Sequence, residues 1–195
     1  MSIQQAAAEG RTVYQKSIKG DEFEGRVLKP SSNIKLGKVM RKIWPDAKIF
    51  TLTLEERKTC PSDCAMWNKC YGNNMPFAHR MGMSARILMG KIEEEIKAHK
   101  GTMAIRLHVL GDFFSTEYVA FWDYILTTYP HVRVWGYTAN QPRSYIGKAV
   151  QYVARRYPNR WVVRFSNQSE PIDGVVVCKV GGDQDGFITC AAQLG

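Results

Sequence analysis

Three cysteines stand within eleven positions of one another in the run Thr59-Cys60-Pro61-Ser62-Asp63-Cys64-Ala65-Met66-Trp67-Asn68-Lys69-Cys70-Tyr71-Gly72. Thiolates are soft ligands that suit zinc and iron–sulfur clusters. A polar loop with proline and aspartate is a poor core segment, so the pattern points to a metal site rather than to three buried thiols. Three thiols from one loop leave a coordination position open. In zinc chemistry either a fourth protein ligand completes the set, with Cys178 or Cys190 available, or the site is catalytic. In iron–sulfur chemistry one iron is left open to another ligand. Zinc therefore stands as the alternative to a cluster. Cys178 and Cys190 are also the candidates for a second metal site. Five cysteines, three of them clustered, do not make a disulfide framework.

The elements that must position this loop are legible from periodicity. Lys48 to Leu54 alternates and is rich in β formers, a strand that runs straight into the loop. Met83, Ile87, Leu88, Ile92 and Ile96 fall on one helical face, with Glu93 and Lys97 as an outward i,i+4 pair. Met103 to Leu110 is a second strand, closed by Gly111-Asp112. Ser115 caps a helix whose buried face is Tyr118, Trp122, Ile125, Leu126 and Tyr129. Val132 to Thr138 is a third strand. Pro142 stands where a first helical residue would, ahead of Ile146, Ala149, Val150, Val153 and Tyr157 on one face. Trp161 to Ser166 is a fourth strand and Gly174 to Cys178 a fifth. Strands alternating with helices of this length imply an α/β fold with a parallel sheet and right-handed crossovers. Ligands of such sheets bind beyond the carboxyl ends of the strands. The cysteine loop, Gly111-Asp112, Thr138 and the end of the fourth strand converge on that edge.

Leu52-Thr53-Leu54-Glu55-Glu56-Arg57, the three cysteines, Cys70-Tyr71-Gly72-Asn73-Asn74-Met75 and Arg106-Leu107-His108-Val109-Leu110-Gly111-Asp112 carry a family resemblance. Over roughly residues 30–195 the chain resembles the phage gene-product-88 group and its bacterial relatives. In the order of its elements and in two motifs it is also similar to radical S-adenosylmethionine (SAM) enzymes. That second resemblance implies a partial (β/α) barrel with the three cysteines on the loop after its first strand. It implies that Cys60, Cys64 and Cys70 hold a 4Fe–4S cluster whose fourth iron binds SAM. Reductive cleavage of SAM then yields a 5′-deoxyadenosyl radical. It further implies that Gly111-Asp112 stands at the turn that contacts the SAM amino group. The spacing departs from the radical SAM pattern: Cys-x3-Cys-x5-Cys replaces Cys-x3-Cys-x2-Cys, and Tyr71 follows the third cysteine rather than an aromatic preceding it. The closer group carries more cysteines beyond a segment like Ile188-Thr189-Cys190-Ala191-Ala192-Gln193, so truncation after Gly195 is open.

Alternation places Arg106 and His108 on one strand face, and Arg164 and Ser166 on one face of another. With helices on the apolar side, these polar residues point into a concave interior, where an arginine can pair with the SAM carboxylate. The opposite reading puts them at a water-facing edge. Tyr71 and Trp67 flank and shield the loop. Tyr137 and Thr138 line the pocket, and Asn167 is placed to hydrogen-bond a ribose. Asp63 and Glu55-Glu56 read as capping or solvated residues before they read as ligands.

The chain has 195 residues, 45% hydrophobic and 23% charged, which suits one soluble domain with a real core. Residues 1–46 form a basic, partly irregular N-terminal segment, and residues 47–195 the α/β cluster-binding domain. Lys29, Lys35, Lys38, Arg41 and Lys42 either touch phosphate or lie on a lead-in that packs against the domain. The formal charge of +9 favours an anionic substrate or nucleic acid. No stretch reaches the roughly 20 apolar residues of a membrane span, and Met1 to Gly10 lacks a secretory pattern, so a cytoplasmic protein is expected. Two functions remain open: a radical SAM-like iron–sulfur enzyme, or a non-catalytic nucleic-acid-binding module stabilised by zinc or a cluster. Oligomeric state is not legible.

Overall fold

The computed structural model describes residues 1–14, 17–18, 23–31, 33–166, 178–179 and 188–189. In chain order the elements are α1 (Ile3–Ala8), β1 (Ser17–Ile18), β2 (Lys29–Pro30), α2 (Ile34–Ile43), β3 (Lys48–Thr51), β4 (Arg80–Met81), α3 (Ala85–Ala98), β5 (Met103–Leu107), α4 (Thr116–Thr128), β6 (Val132–Thr138), α5 (Tyr145–Arg156), β7 (Trp161–Phe165), β8 (Cys178–Lys179) and β9 (Ile188–Thr189). The main sheet has five strands in the order β2-β3-β5-β6-β7. β2 pairs antiparallel at one edge, and the other four strands are parallel. The expected α/β architecture is present as a mostly parallel sheet, without a closed barrel among the described residues.

Each step from β3 to β5, β6 and β7 moves one strand in the same direction. With right-handed crossovers, every connecting helix then falls on the same side of the sheet. α3 accordingly packs on α4, and α4 on α5. Leu88, Ile92 and Ile96 of α3, Trp122, Ile125 and Leu126 of α4, and Val150 and Val153 of α5 meet Phe50, Ile105, Leu107, Val134, Val163 and Phe165 in one core. The strand residues between these alternate onto the other face, where Thr51, Arg106, Trp135, Tyr137, Val162 and Arg164 are half-buried. Trp44, just beyond α2, meets Trp135 there at 6.4 Å between ring centroids.

Several local readings are corrected. β3 and β5 end earlier than alternation suggests. Leu52 N still donates to Arg106 O, Val109 N to Leu52 O and Leu54 N to Leu110 O, so the two chains stay side by side beyond the regular ladder. α5 begins at Tyr145 rather than at Pro142, because Ser144 is its N-cap and accepts from Gly147 N. Glu93 does not pair with Lys97; its carboxylate accepts from the hydroxyls of Tyr124 and Tyr129 at 2.6 and 3.0 Å. Ser115 does cap α4, accepting from Tyr118 N. Of the expected fifth strand only Cys178 is described, in β8, which pairs with β9; residues 171–177 lie outside the described residues, as do Asn167 and Cys190. The N-terminal segment is more regular than its glycines and prolines suggested, holding α1, α2 and the edge strand β2.

Candidate metal centre

The chain between Leu54 and Met81 leaves the sheet and returns, with Leu54 bridged to Met81. All three cysteines lie on this excursion, as free thiols that are neither fully buried nor fully exposed. Its base is a buried charge network. Glu56 and Arg80 are fully buried and paired, with Glu56 Oε2 2.7 Å from Arg80 Nε and Arg80 Nη2 donating to Glu56 Oε1 at 3.1 Å. Arg80 also donates to the carbonyls of Gly72, Met75 and Ala78, pinning the descending limb of the loop. Arg57, in the left-handed region at φ 65°, donates to Trp67 O, Arg11 O and Asn73 Oδ1. Glu55 and Glu56 are thus interior residues, not the solvated pair expected. Carboxylate and guanidinium groups pass into a protein interior when each is paired and hydrogen-bonded.

The N-terminal residues complete this base. Thr12 Oγ1 donates to Glu56 Oε1 at 2.7 Å, and Tyr14 Oη to Asn73 O at 2.6 Å. Trp67 Nε1 donates to Ala7 O at 3.0 Å, and the Arg80 guanidinium lies over the Tyr14 ring. A segment that reads as a lead-in is therefore the clamp on the cysteine loop. None of Thr12, Tyr14, Asn73 or Arg80 stood out as a functional candidate. The one visible signal was Glu55-Glu56-Arg57, three charged residues directly after an apolar strand.

Each cysteine sulfur faces a backbone N–H: Arg57 for Cys60, Met66 for Cys64 and Gly72 for Cys70. Burial is the main force raising all three thiols above the ordinary cysteine value. Asp112 and the other two thiols also raise Cys60, and Asp112 and Cys70 also raise Cys64. The three cysteines and Asp112 thus share one electrostatic neighbourhood. Burial likewise pushes Tyr71 up to about 12, partly offset by Arg106. Tyr71 itself is about half exposed at the rim. Among the described residues, no three His, Cys, Asp or Glu side chains are gathered at metal-ligating distance. The donor set fits a metal in its chemistry: three free thiols on one anchored loop, with an N–H beside each sulfur, the arrangement that stabilises bound thiolate.

The other candidates divide by role. Asp112 is buried, and its Oδ1 accepts from Phe113 N and Thr138 Oγ1 at 2.7 Å each and from Asn140 Nδ2 at 3.3 Å. Its Oδ2 accepts from Ala139 N at 2.6 Å. Burial nevertheless raises its carboxyl to about 6. Asp112 and Thr138 therefore tie the ends of β5 and β6 together. Gly111 sits at φ +82°, where an added Cβ would lie 2.5 Å from Thr59 Oγ1 and 2.6 Å from Leu54 Cβ. That glycine lets Asp112 N reach Thr59 Oγ1 and docks the turn on the loop. Ser166 Oγ donates to Thr138 O at 3.2 Å. Asp63 accepts from Gln141 Nε2, joining the cysteine loop to the loop after β6. His108 does not share a face with Arg106. It follows the last residue of β5 and turns to the helix side, with Nε2 3.1 Å from Tyr118 Oη. Of Cys178 only its place in β8 is described.

The family model described as Gene product 88 matches residues 26–173, most of the chain. The chain belongs to the gene product 88 family. The expected phage-related grouping holds, and the matched segment spans β2 to β7 and the whole cysteine loop of this family member. No curated protein and no solved structure matches the chain. No described helix is long and apolar enough to cross a membrane.

Proposed function

We propose that this gene product 88 protein binds a 4Fe–4S cluster through Cys60, Cys64 and Cys70, and that it is a radical SAM-like enzyme on a partial (β/α) barrel. The observation that carries the reading is the loop itself: three free thiols, an N–H facing each sulfur, and a base held by the buried Glu56–Arg80 pair. Such a loop limits how far the ligands can stray while leaving the sulfurs reachable. A bound cluster with one iron open to SAM would supply electron transfer and radical generation. The protein's own part is to hold the thiolates, shield them with Trp67 and Tyr71, and present Arg106 on the adjoining sheet face. Asp112, already accepting four hydrogen bonds, is assigned to positioning the β5 and β6 ends.

Anaerobic reconstitution with iron and sulfide tests the reading. Broad brown absorbance, about four irons per chain, and loss of both in Cys64→Ala are expected. Reductive SAM cleavage, followed as 5′-deoxyadenosine under dithionite, tests the enzymatic part. Cluster without SAM binding or cleavage would leave an iron–sulfur module. Zinc that survives chelation, with no bound iron, would favour the metal-stapled nucleic-acid-binding alternative.

A further inference from the structure

The protein treats its inner arginines in two ways. Arg57 and Arg80 are buried, and each of their guanidinium nitrogens donates to a carbonyl, amide or carboxylate oxygen. Arg106 and Arg164 are half-buried on the sheet face away from α3, α4 and α5, and among the described residues neither lies within ion-pair distance of a carboxylate. A half-buried guanidinium without a protein anion is poised for an anion from outside.

The register defines what surrounds them. Arg106 is directly opposite Trp135 on β6, which in turn is opposite Val162. Arg164 is directly opposite Tyr137. The two arginines therefore lie on a diagonal, with Trp135 and Tyr137 of β6 between them. Two strand spacings across and two residues along place their Cα atoms about 12 Å apart. A phosphate lying over β6 is thus flanked by a guanidinium on each side, with an indole and a phenol beneath. Guanidinium pairs recognise phosphate by geometry, and aromatic faces stack bases.

The spacing of the two arginines selects the occupant. Trp44 stands against Trp135 on this face, level with Arg106. At its carboxyl end lies the cysteine loop, where Arg106 acts on Tyr71. Two guanidinium groups about 12 Å apart flank one phosphate, which is what a single nucleotide carries, whereas a polynucleotide calls for a longer row of cations. The formal charge of +9 adds attraction for any phosphate.

We infer that this sheet face binds a single nucleoside phosphate, its phosphate between Arg106 and Arg164 and its base against Trp135. This names a substrate class for the site proposed above. It rests on that reading only for what is done to the ligand; binding needs the sheet face alone.

The test is calorimetric titration of the full chain with adenosine, guanosine, cytidine and uridine 5′-monophosphates. It is run before and after anaerobic reconstitution and with saturating SAM. At least one monophosphate should bind, and the matching nucleoside without phosphate should bind at least about tenfold more weakly. Arg106→Gln and Arg164→Gln should each weaken binding roughly ten- to a hundredfold, and Trp135→Leu about tenfold. Lys148→Gln, an equal charge change on exposed α5, should leave binding unchanged. Circular dichroism checks each fold, and Arg164→Lys, gentler on the sheet, should still weaken binding because it loses the bidentate fork.

The inference is overturned if no monophosphate binds, or if Lys148→Gln weakens binding as much as the arginine variants. Competition by SAM with equal loss of SAM in Arg106→Gln would also overturn it, since the arginines would then serve SAM. So would a single-stranded oligonucleotide binding far more tightly with a multi-phosphate salt dependence. Nucleotide binding by protein that takes up no iron on anaerobic reconstitution would sink the cluster reading and leave this one standing.

Discussion

The Glu56–Arg80 pair offers the sharpest test of how the cysteine loop is held. Both side chains are fully buried, and their contacts are 2.7 and 3.1 Å. Glu56→Gln keeps the volume but removes the charge, leaving the Arg80 guanidinium buried against an amide. Stranding one partner of a buried pair costs about 3–5 kcal/mol. Domains have about 5–15 kcal/mol of stability in total, so a large fraction is at stake. For a chain of this size each kcal/mol moves Tm by about 2–4 °C, which gives a drop of roughly 6–20 °C. The assay is thermal unfolding by circular dichroism with the thiols kept reduced. Arg80→Gln should cost at least as much, since the carbonyls of Gly72, Met75 and Ala78 also lose their donor. The double variant should cost less than the sum of the singles by about 0.5–3 kcal/mol. Because Arg80 holds Gly72, two residues from Cys70, iron per chain after reconstitution should fall in the single variants. A Tm within about 2 °C of wild type for Glu56→Gln, or strictly additive singles, would refute the reasoning.

Three further outcomes are expected. Gly111→Ala should destabilise by about 1–3 kcal/mol or more, from φ +82° and a Cβ 2.5 Å from Thr59 Oγ1; unchanged denaturant midpoints would contradict this. Burial pushes the His108 imidazole down to about 3, below its unfolded value near 6.5. Stability from this residue is therefore complete above about pH 6.5 and is lost as pH falls toward 3, by up to about 4–5 kcal/mol. His108→Phe should flatten that part of the stability–pH curve, and an identical curve would exclude His108 as the cause. Deleting residues 1–12 removes Ala7 O, Arg11 O and Thr12 Oγ1 from Trp67, Arg57 and Glu56. Limited proteolysis should then cut first between Thr59 and Gly72, and protection equal to wild type would count against the clamp.

Periodicity carried the α/β architecture because it reports which side of an element meets the core. α3 and α4 bury Leu88, Ile92 and Ile96, and Tyr118, Trp122, Ile125 and Leu126, as their spacing requires. Alternation in β6 and β7 likewise puts Val134 and Val163 inward, and Arg164 on the opposite face. The cysteine spacing was legible too, since three thiols on one short loop are confined to one region whatever the fold does. What a one-dimensional pattern cannot hold is partnership between distant residues. Glu55-Glu56-Arg57 reads as a solvated run until Arg80, Thr12, Asn73 and Arg11 are brought against it. Asp112 reads as a free ligand until Thr138, Ala139 and Asn140 fill its oxygens. His108 follows the strand's alternation only on paper, because the ladder stops at Leu107 and the ring meets Tyr118 on α4. The N-terminal segment carries no strong period, since its contribution is a few hydrogen bonds to the cysteine loop. Burial of a charge is decided by whether its counter-charge arrives, and that arrival is a property of the tertiary structure.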